Sequence, residues 1–161
     1  MAAVDFFLKL DGIDGESQDD KHKGEIDLHS WSWGASQMGT QAHGGGGGAG
    51  KVSVQDFNFI QIVNKATPKL FLACCQGEHI KKAVLTCRKA GKDQQEYLKI
   101  TFTDVLVSNY QTSASEGAVI PTEHISLNFG KVEFEYKEQK SDGTLGGVTK
   151  AGWDVKANKA V

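Results

Sequence analysis

Apolar residues alternate with polar ones along most of this chain, which is the period of a β-strand rather than of a helix. The alternation begins at Phe6, Leu8 and Leu10 and stops in the glycine- and acid-rich stretch 11–24. It returns in the segments 25–33, 52–62, 83–88, 97–107, 125–136 and 148–155. This pattern predicts an all-β fold in which about eight strands close into a small barrel, with residues 1–161 forming one domain.

Three of the predicted strands change the parity of their apolar positions partway along. The changes lie near His29 and Ser30, between Phe102 and Val105, and around Gly130. A change of parity turns the apolar side chains to the other face of the strand, so each one predicts a bulge or a bend. Together they predict a strongly curved sheet.

One short helix is expected to flank the strands. Thr67 is a suitable N-cap, Pro68 suits the first helical position, and Gly77 suits the left-handed residue that ends a helix. The helix is therefore predicted over 68–76. Its core-facing side is expected to carry Leu70, Phe71 and Cys74.

A run of glycines lies between two predicted strands, from His43 to Lys51. Glycine has no side chain to bury and loses the most conformational freedom on ordering, so a free subunit gains little by fixing this run. The run is therefore predicted to be an extended hairpin loop that becomes ordered against something outside the subunit.

Two chemical interpretations of the same run fail on neighbouring residues. Residues 45–51 match a phosphate-binding loop, but Val52 stands where a magnesium-binding hydroxyl is needed and a strand follows instead of a helix. Residues 43–46 match an esterase oxyanion loop, but that chemistry needs a G-x-S-x-G elbow. The nearest candidate, 34–38, has Met38 in place of the last glycine.

Composition and charge favour neither an enzyme nor a nucleic-acid-binding protein. The formal net charge is −2, from 18 basic and 20 acidic residues, and the five histidines show no metal-ligand spacing. The acids of 11–20 and the basic pair Arg88–Lys89 are interpreted as solvated. Cys74, Cys75 and Cys87 are interpreted as reduced thiols. We expect no catalytic residues, no metal, no cofactor, no nucleic acid and no membrane insertion.

Trp31, Ser32 and Trp33 define two different faces of one strand. Because alternate side chains of a strand point to opposite faces, the two indole rings belong to a buried side and the Ser32 hydroxyl to the other. Ser32 is therefore expected to lie on a polar surface opposite the core.

The order of motifs along nearly all 161 residues resembles one family, the haemolysin-coregulated proteins, or Hcp, of the bacterial type VI secretion system. The resemblance rests on Phe7-Leu8-Lys9, Gly15-Glu16-Ser17, Trp31-Ser32-Trp33-Gly34, Ser36-Gln37, Gly50-Lys51, Ala66-Thr67-Pro68, Ala73-Cys74, Gly77, Leu85-Thr86, Arg88-Lys89-Ala90-Gly91, Leu127-Asn128-Phe129, Asp142-Gly143 and Gly152-Trp153-Asp154. It implies a non-enzymatic structural subunit that forms hexameric rings. By the same resemblance, the rings stack into an expelled tube, carry small effector proteins in the lumen, and contact a spike protein and a contractile sheath.

Two sets of residues are assigned to that assembly as hypotheses. Ring stacking is assigned to the glycine-rich loop, namely Gln41, His43, Gly44, Gly45, Gly46, Gly47 and Gly48. Ser32 and, as a weaker candidate, Ser115 are assigned to the lumen, where small polar side chains leave room for cargo.

The first residues carry an early acid, Asp5, and are not expected to form a secretory signal peptide. We therefore expect the protein in the bacterial cytoplasm before firing, and then outside the cell or in a target cell without cleavage of a signal. Two alternatives remain. One is a monomeric β-barrel that binds a small ligand in its own pocket. The other, an acyl-hydrolase, depends on the oxyanion-like loop and lacks its nucleophile.

Overall fold

The computed structural model describes residues 4–39, 51–90 and 94–161. Within them lie eleven strands and one helix. The strands are β1 (Val4–Leu10), β2 (Ile26–Asp27), β3 (Ser30–Ser32), β4 (Ala35–Ser36), β5 (Ser53–Val54), β6 (Phe57–Ile62), β7 (His79–Lys89), β8 (Glu96–Ser113), β9 (Thr122–Gln139), β10 (Leu145–Asp154) and β11 (Lys159–Ala160); the helix α1 is Thr67–Gln76.

Nine strands form one antiparallel sheet, in which β11, β10, β9, β8, β7, β1 and β2 follow in that order. The sheet continues from β9 to β6 and from β6 to β3, while β4 and β5 form a separate ribbon. The predicted all-β class with one short helix is thus confirmed.

The predicted closure into a barrel is not seen in the described strands, because the sheet is open between β2 and β3. The opening coincides with the first predicted parity change, near His29 and Ser30. Before this point the chain pairs with β1, and after it the chain pairs with β6. Between β2 and β3, one backbone hydrogen bond is made to each of these two strands. The Leu28 amide donates to the Phe6 carbonyl at 3.0 Å, and the His29 amide donates to the Ile60 carbonyl at 2.9 Å.

The other two predicted parity changes occur side by side in β8 and β9. Asp104 adopts a φ of 57°, a left-handed conformation that residues with side chains rarely adopt. A Cβ atom added to Gly130 would lie 3.3 Å from the Asp104 Cβ, which shows how closely the two strands approach here. Burial changes parity at this point, from Phe129 to Val132 in β9. Both strands are bent at one crease.

The interior of the fold is filled with aromatic rings. Phe57, Phe59 and Phe102 are completely buried, and the rings of Phe57 and Phe102 lie 4.8 Å apart. The ring of Phe129 lies 4.7 Å from that of Phe102, and the half-buried Trp33 lies edge-on to Phe102 at 6.0 Å. Such offset and edge-on contacts add to the stabilisation that burial alone provides.

Helix α1 begins one residue earlier than the sequence predicts. Its N-cap is Ala66, with no side-chain cap, so the prediction of Thr67 as the cap is wrong. The predicted end is confirmed, because Gly77 has the left-handed φ of 61°. Leu70 is buried as predicted, whereas Phe71 is 53% exposed and lies edge-on to Tyr110.

Candidate functional site

Ser32 lies on an exposed sheet face whose reverse side is the core. Trp31 and Trp33 are half-buried on the core side, where Trp31 stacks on Phe57 at 6.2 Å and Trp33 contacts Phe102. The predicted orientation of the Trp31-Ser32-Trp33 triplet is therefore confirmed. The role of Ser32 in a lumen stays a prediction.

Strand register places small polar side chains beside Ser32, because paired residues share a face of the sheet. One row runs from Ser32 through Asn58 and Ser126 to Asn109. The next row is Ser30, Ile60, His124 and Gln111. Neither row contains Lys, Arg, Asp or Glu. We call these two rows, with Ser113 and Thr122 at their end, the Ser32 face.

Asp56, two residues before Asn58 of the Ser32 face, has its charge engaged within the fold. Asp56 directly precedes β6, and its carboxylate accepts hydrogen bonds from Ser108 Oγ at 2.6 Å and Asn128 Nδ2 at 2.9 Å. Asn58, in turn, donates its side-chain amide to the Asp56 carbonyl at 3.0 Å. The carboxylate thus orders the edge of the face.

An open groove of about 540 Å³ lies at one end of the Ser32 face. It is lined by Ile60, Gln111, Thr112, Ser113, Thr122, Glu123 and His124. All of these except Glu123 belong to exposed positions of β6, β8 and β9, so the groove is a surface feature and not a cavity inside the core.

A buried hydrogen-bond network supports the groove from below. Glu123 is only 1% exposed, and its carboxylate accepts from Gln61 Nε2 at 3.0 Å, from Thr67 Oγ1 at 2.5 Å and from the Tyr110 hydroxyl. These donors come from β6, α1 and β8, so one carboxylate joins three elements. Sequence analysis missed it, although Gln61 and Glu123 are polar at apolar positions of two strands and pair with each other.

A second network that sequence analysis missed surrounds Phe7. The Arg88 guanidinium lies over one face of the ring at 4.9 Å, and the His22 imidazole stacks on it at 4.3 Å. Arg88 is 3% exposed and donates to Asp5 and Asp19, so its interpretation as a solvated residue is wrong. The hydrogen bonds between Arg88 and Asp19 raise the pKa of Arg88 and lower the pKa of Asp19 to about 2.

Of the predicted site residues, the structure describes Ser32 and Ser115, and these two lie in different parts of the fold. Ser115 is exposed in the loop after β8, where its carbonyl accepts from the Ala118 amide at 3.0 Å. The row of Ser32 ends at Asn109 in β8. Ser113, the last residue of β8, is four residues further on, or about 13 Å along the strand, and Ser115 follows it in the loop. The stacking candidates Gln41 and 43–48 lie outside the described residues.

In the parts of the chain that the structure describes, no group of three or more His, Cys, Asp or Glu residues is placed to hold a metal ion. No helix within these same ranges is long and apolar enough to cross a membrane.

Comparisons with known proteins agree with one another. The family model described as "Type VI secretion system effector, Hcp" matches residues 7–136. The chain is 49% identical over 158 residues to protein hcp1 of Pseudomonas aeruginosa, which covers 97% of this chain and 98% of that protein.

Solved structures give the same result. Hcp1 from Salmonella typhimurium is 45% identical, with a TM-score of 0.84, covering 99% of this chain and 100% of that one. A solved type six secretion system protein is 33% identical, with a TM-score of 0.93 and the same coverage. The chain therefore belongs to the Hcp family of type VI secretion system proteins.

Proposed function

We propose that this chain is the structural subunit of the expelled inner tube, forming hexameric rings that stack and that carry small effector proteins in their lumen. The observation that supports this most directly is the Ser32 face. It lacks charged side chains in both rows, and its reverse side is the fully packed core.

A neighbouring surface of the same sheet is charged, which supports assigning the uncharged surface to the inside of the tube and the charged one to its outside. Where β8, β9 and β10 pair side by side, Lys99, Glu135 and Lys150 form one row of charged residues. Charged side chains suit a surface in bulk water, whereas small uncharged ones suit a confined channel that other proteins traverse. We assign the Ser32 face to the lumen accordingly.

The assembly needs several partners. Each subunit contacts neighbours in its ring through two different patches, since a ring uses a head-to-tail interface. The stacked rings contact the spike protein at the tip and the contractile sheath outside. The subunit resides in the bacterial cytoplasm before firing and is then secreted or injected, and it catalyses no reaction.

The alternative of a ligand pocket within a monomer has less support. The interior between the strands is occupied by the rings of Phe57, Phe59 and Phe102, all fully buried. A small ligand would have to displace these rings, and removing one large core side chain costs about 3–5 kcal/mol.

Size-exclusion chromatography with light scattering, followed by negative-stain electron microscopy, tests the proposal. We expect a mass of six subunits and ring-shaped particles with an open centre. A monomer at every concentration tried, with no rings in the micrographs, would contradict it.

A substitution at Ser32 tests the lumen assignment separately. Ser32→Gln keeps the site uncharged but adds bulk, so we expect rings to form normally and to retain less of a co-expressed small effector. Ser141→Gln makes the same change at an exposed turn position and serves as the matched control. Equal retention by both variants would remove the support for Ser32 as a lumen residue.

A further inference from the structure

We propose that the groove at the end of the Ser32 face binds an extended, uncharged segment of a passenger polypeptide, which places one aliphatic side chain against Ile60. This proposal rests on the proposed function, because it assigns a partner to the same face. It goes further in naming the chemistry that is recognised and the residue that recognises it.

The apolar part of the site is one exposed side chain. Ile60 is 38% exposed and lies between Ser30 and His124 in its row, so it is the apolar member of an otherwise polar set. It also lines the groove. Covering an exposed aliphatic side chain with another one is favourable because both lose contact with water.

The polar part of the site fits a polypeptide backbone. Gln111, Ser113, Thr122 and His124 line the groove and offer both donors and acceptors. The strands here are already paired through Ser30, Ile60, His124 and Gln111, so their backbone groups are engaged. A bound segment is therefore held by side chains and not by strand addition.

The charges around the groove favour a neutral segment. The Glu123 carboxylate beneath it is 1% exposed and saturated by donors from Gln61, Thr67 and Tyr110. His124 is the remaining titratable residue among those that line it. A charged passenger side chain would lose water here and gain no ion-pair partner, which is costly.

Methyl NMR of the full chain, in the assembly that it forms, tests the site directly. The probe is the neutral pentapeptide acetyl-Ser-Thr-Leu-Thr-Ser-amide, and its control carries Asp in place of Leu. With the isoleucine δ1 methyl groups labelled, we expect the Leu peptide to shift the Ile60 signal and to leave that of the buried Ile26 in place. No shift at Ile60, or an equal shift with the Asp peptide, would overturn the proposal.

The chain supplies a matched pair of variants. Ile62 is 37% exposed on the same face of β6 but does not line the groove, whereas Ile60 does. Ile60→Ser should weaken peptide binding about tenfold, as expected for losing part of an aliphatic contact, and Ile62→Ser should leave it unchanged. Because both side chains are already partly in water, both variants should fold, which circular dichroism checks.

The outcomes separate this proposal from the proposed function. If Ser32→Gln lowers effector retention while Ile60→Ser and Ile62→Ser bind the peptide equally, the lumen stands and the groove proposal fails. If the chain forms no rings but the peptide still shifts Ile60 selectively, the groove stands and the tube proposal fails.

Discussion

Arg88 and Asp19 form a two-point ion pair across 69 positions of the sequence. Arg88 Nη1 donates to Asp19 Oδ1 at 3.0 Å, and Nη2 donates to Oδ2 at 2.6 Å. Arg88 also donates from Nη2 to Asp5 Oδ2 at 2.9 Å. The guanidinium on β7 therefore links two other parts of the fold, β1 through Asp5 and the loop before β2 through Asp19. It packs on the ring of Phe7.

Removing this cation should be strongly destabilising. Arg88→Met keeps the bulk but leaves the carboxylates of Asp5 and Asp19 without their partner, so we expect a loss of about 3 kcal/mol in the free energy of unfolding. Lys82→Met removes an exposed cation from the same strand and should change it by less than about 0.5 kcal/mol. Urea unfolding at one fixed protein concentration measures both, and similar losses would contradict the prediction.

The same ion pair should make stability depend on acidic pH. Hydrogen bonding to Arg88 lowers the pKa of Asp19 from 3.8 to about 2, so the unfolded state takes up this proton more readily than the folded state. The contribution is complete above about pH 5 and is lost as the pH falls through 3.8 towards 2. The difference in unfolding free energy between wild type and Asp19→Asn should therefore shrink over that range. A difference that grows on acidification would contradict this sign.

Gly15 should not tolerate even a methyl group. A Cβ atom there would lie 2.5 Å from the Glu25 carbonyl oxygen and 2.8 Å from the Ile26 Cα, and neither backbone atom can move easily. We expect Gly15→Ala to cost about 2–3 kcal/mol through overpacking. Gly147→Ala, where nothing lies within 4 Å, is the control and should be nearly neutral. Thermal unfolding of both variants side by side measures the contrast.

The three thiols should react at different rates. Burial raises the pKa of Cys87 to about 11, so roughly one molecule in a thousand carries its thiolate at pH 8. Cys75 is exposed and should react first with a disulfide reagent. We expect Cys75→Ser to abolish the fast phase and Cys87→Ser to leave it intact. Rapid labelling of Cys87 in the folded protein would show that the core opens locally.

Shortening the glycine-rich loop tests the stacking hypothesis. Deleting 44–48 removes residues that bury no side chain, so ring formation should be unaffected while the stacking of rings into tubes is impaired. Counting single rings and stacks in electron micrographs at matched concentrations measures this. A variant that stacks like the wild type would remove these residues from the contact.

The alternation of apolar residues predicted most of the strands because it is a local property of the chain. It also located the bends, as the parity change between Phe102 and Val105 shows at Asp104. The orientation of Ser32 followed from the same rule. The pattern could not decide whether the sheet closes, and the predicted closure was wrong for the described strands, because β2 and β3 pair with different partners.

The charged networks could not be predicted because their members lie far apart in sequence. Asp19 belongs to a run of acids that resembles an ordinary solvated turn, and Arg88 is followed by another cation. Only the folded chain brings them together. The groove next to Ile60 was missed for the same reason, since its lining residues come from three separate strands.

The crease at Asp104 and Gly130 has a geometric consequence for any assembly. On one side of it β8 and β9 belong to the wall that contains β7 and β10, and on the other side β9 joins the wall that contains β6. The angle between these walls therefore depends on the crease, which lies on the two longest strands. If the subunits form the proposed ring, a substitution at the crease changes the shape of each subunit and hence the curvature of the ring, without changing any residue at the subunit contacts.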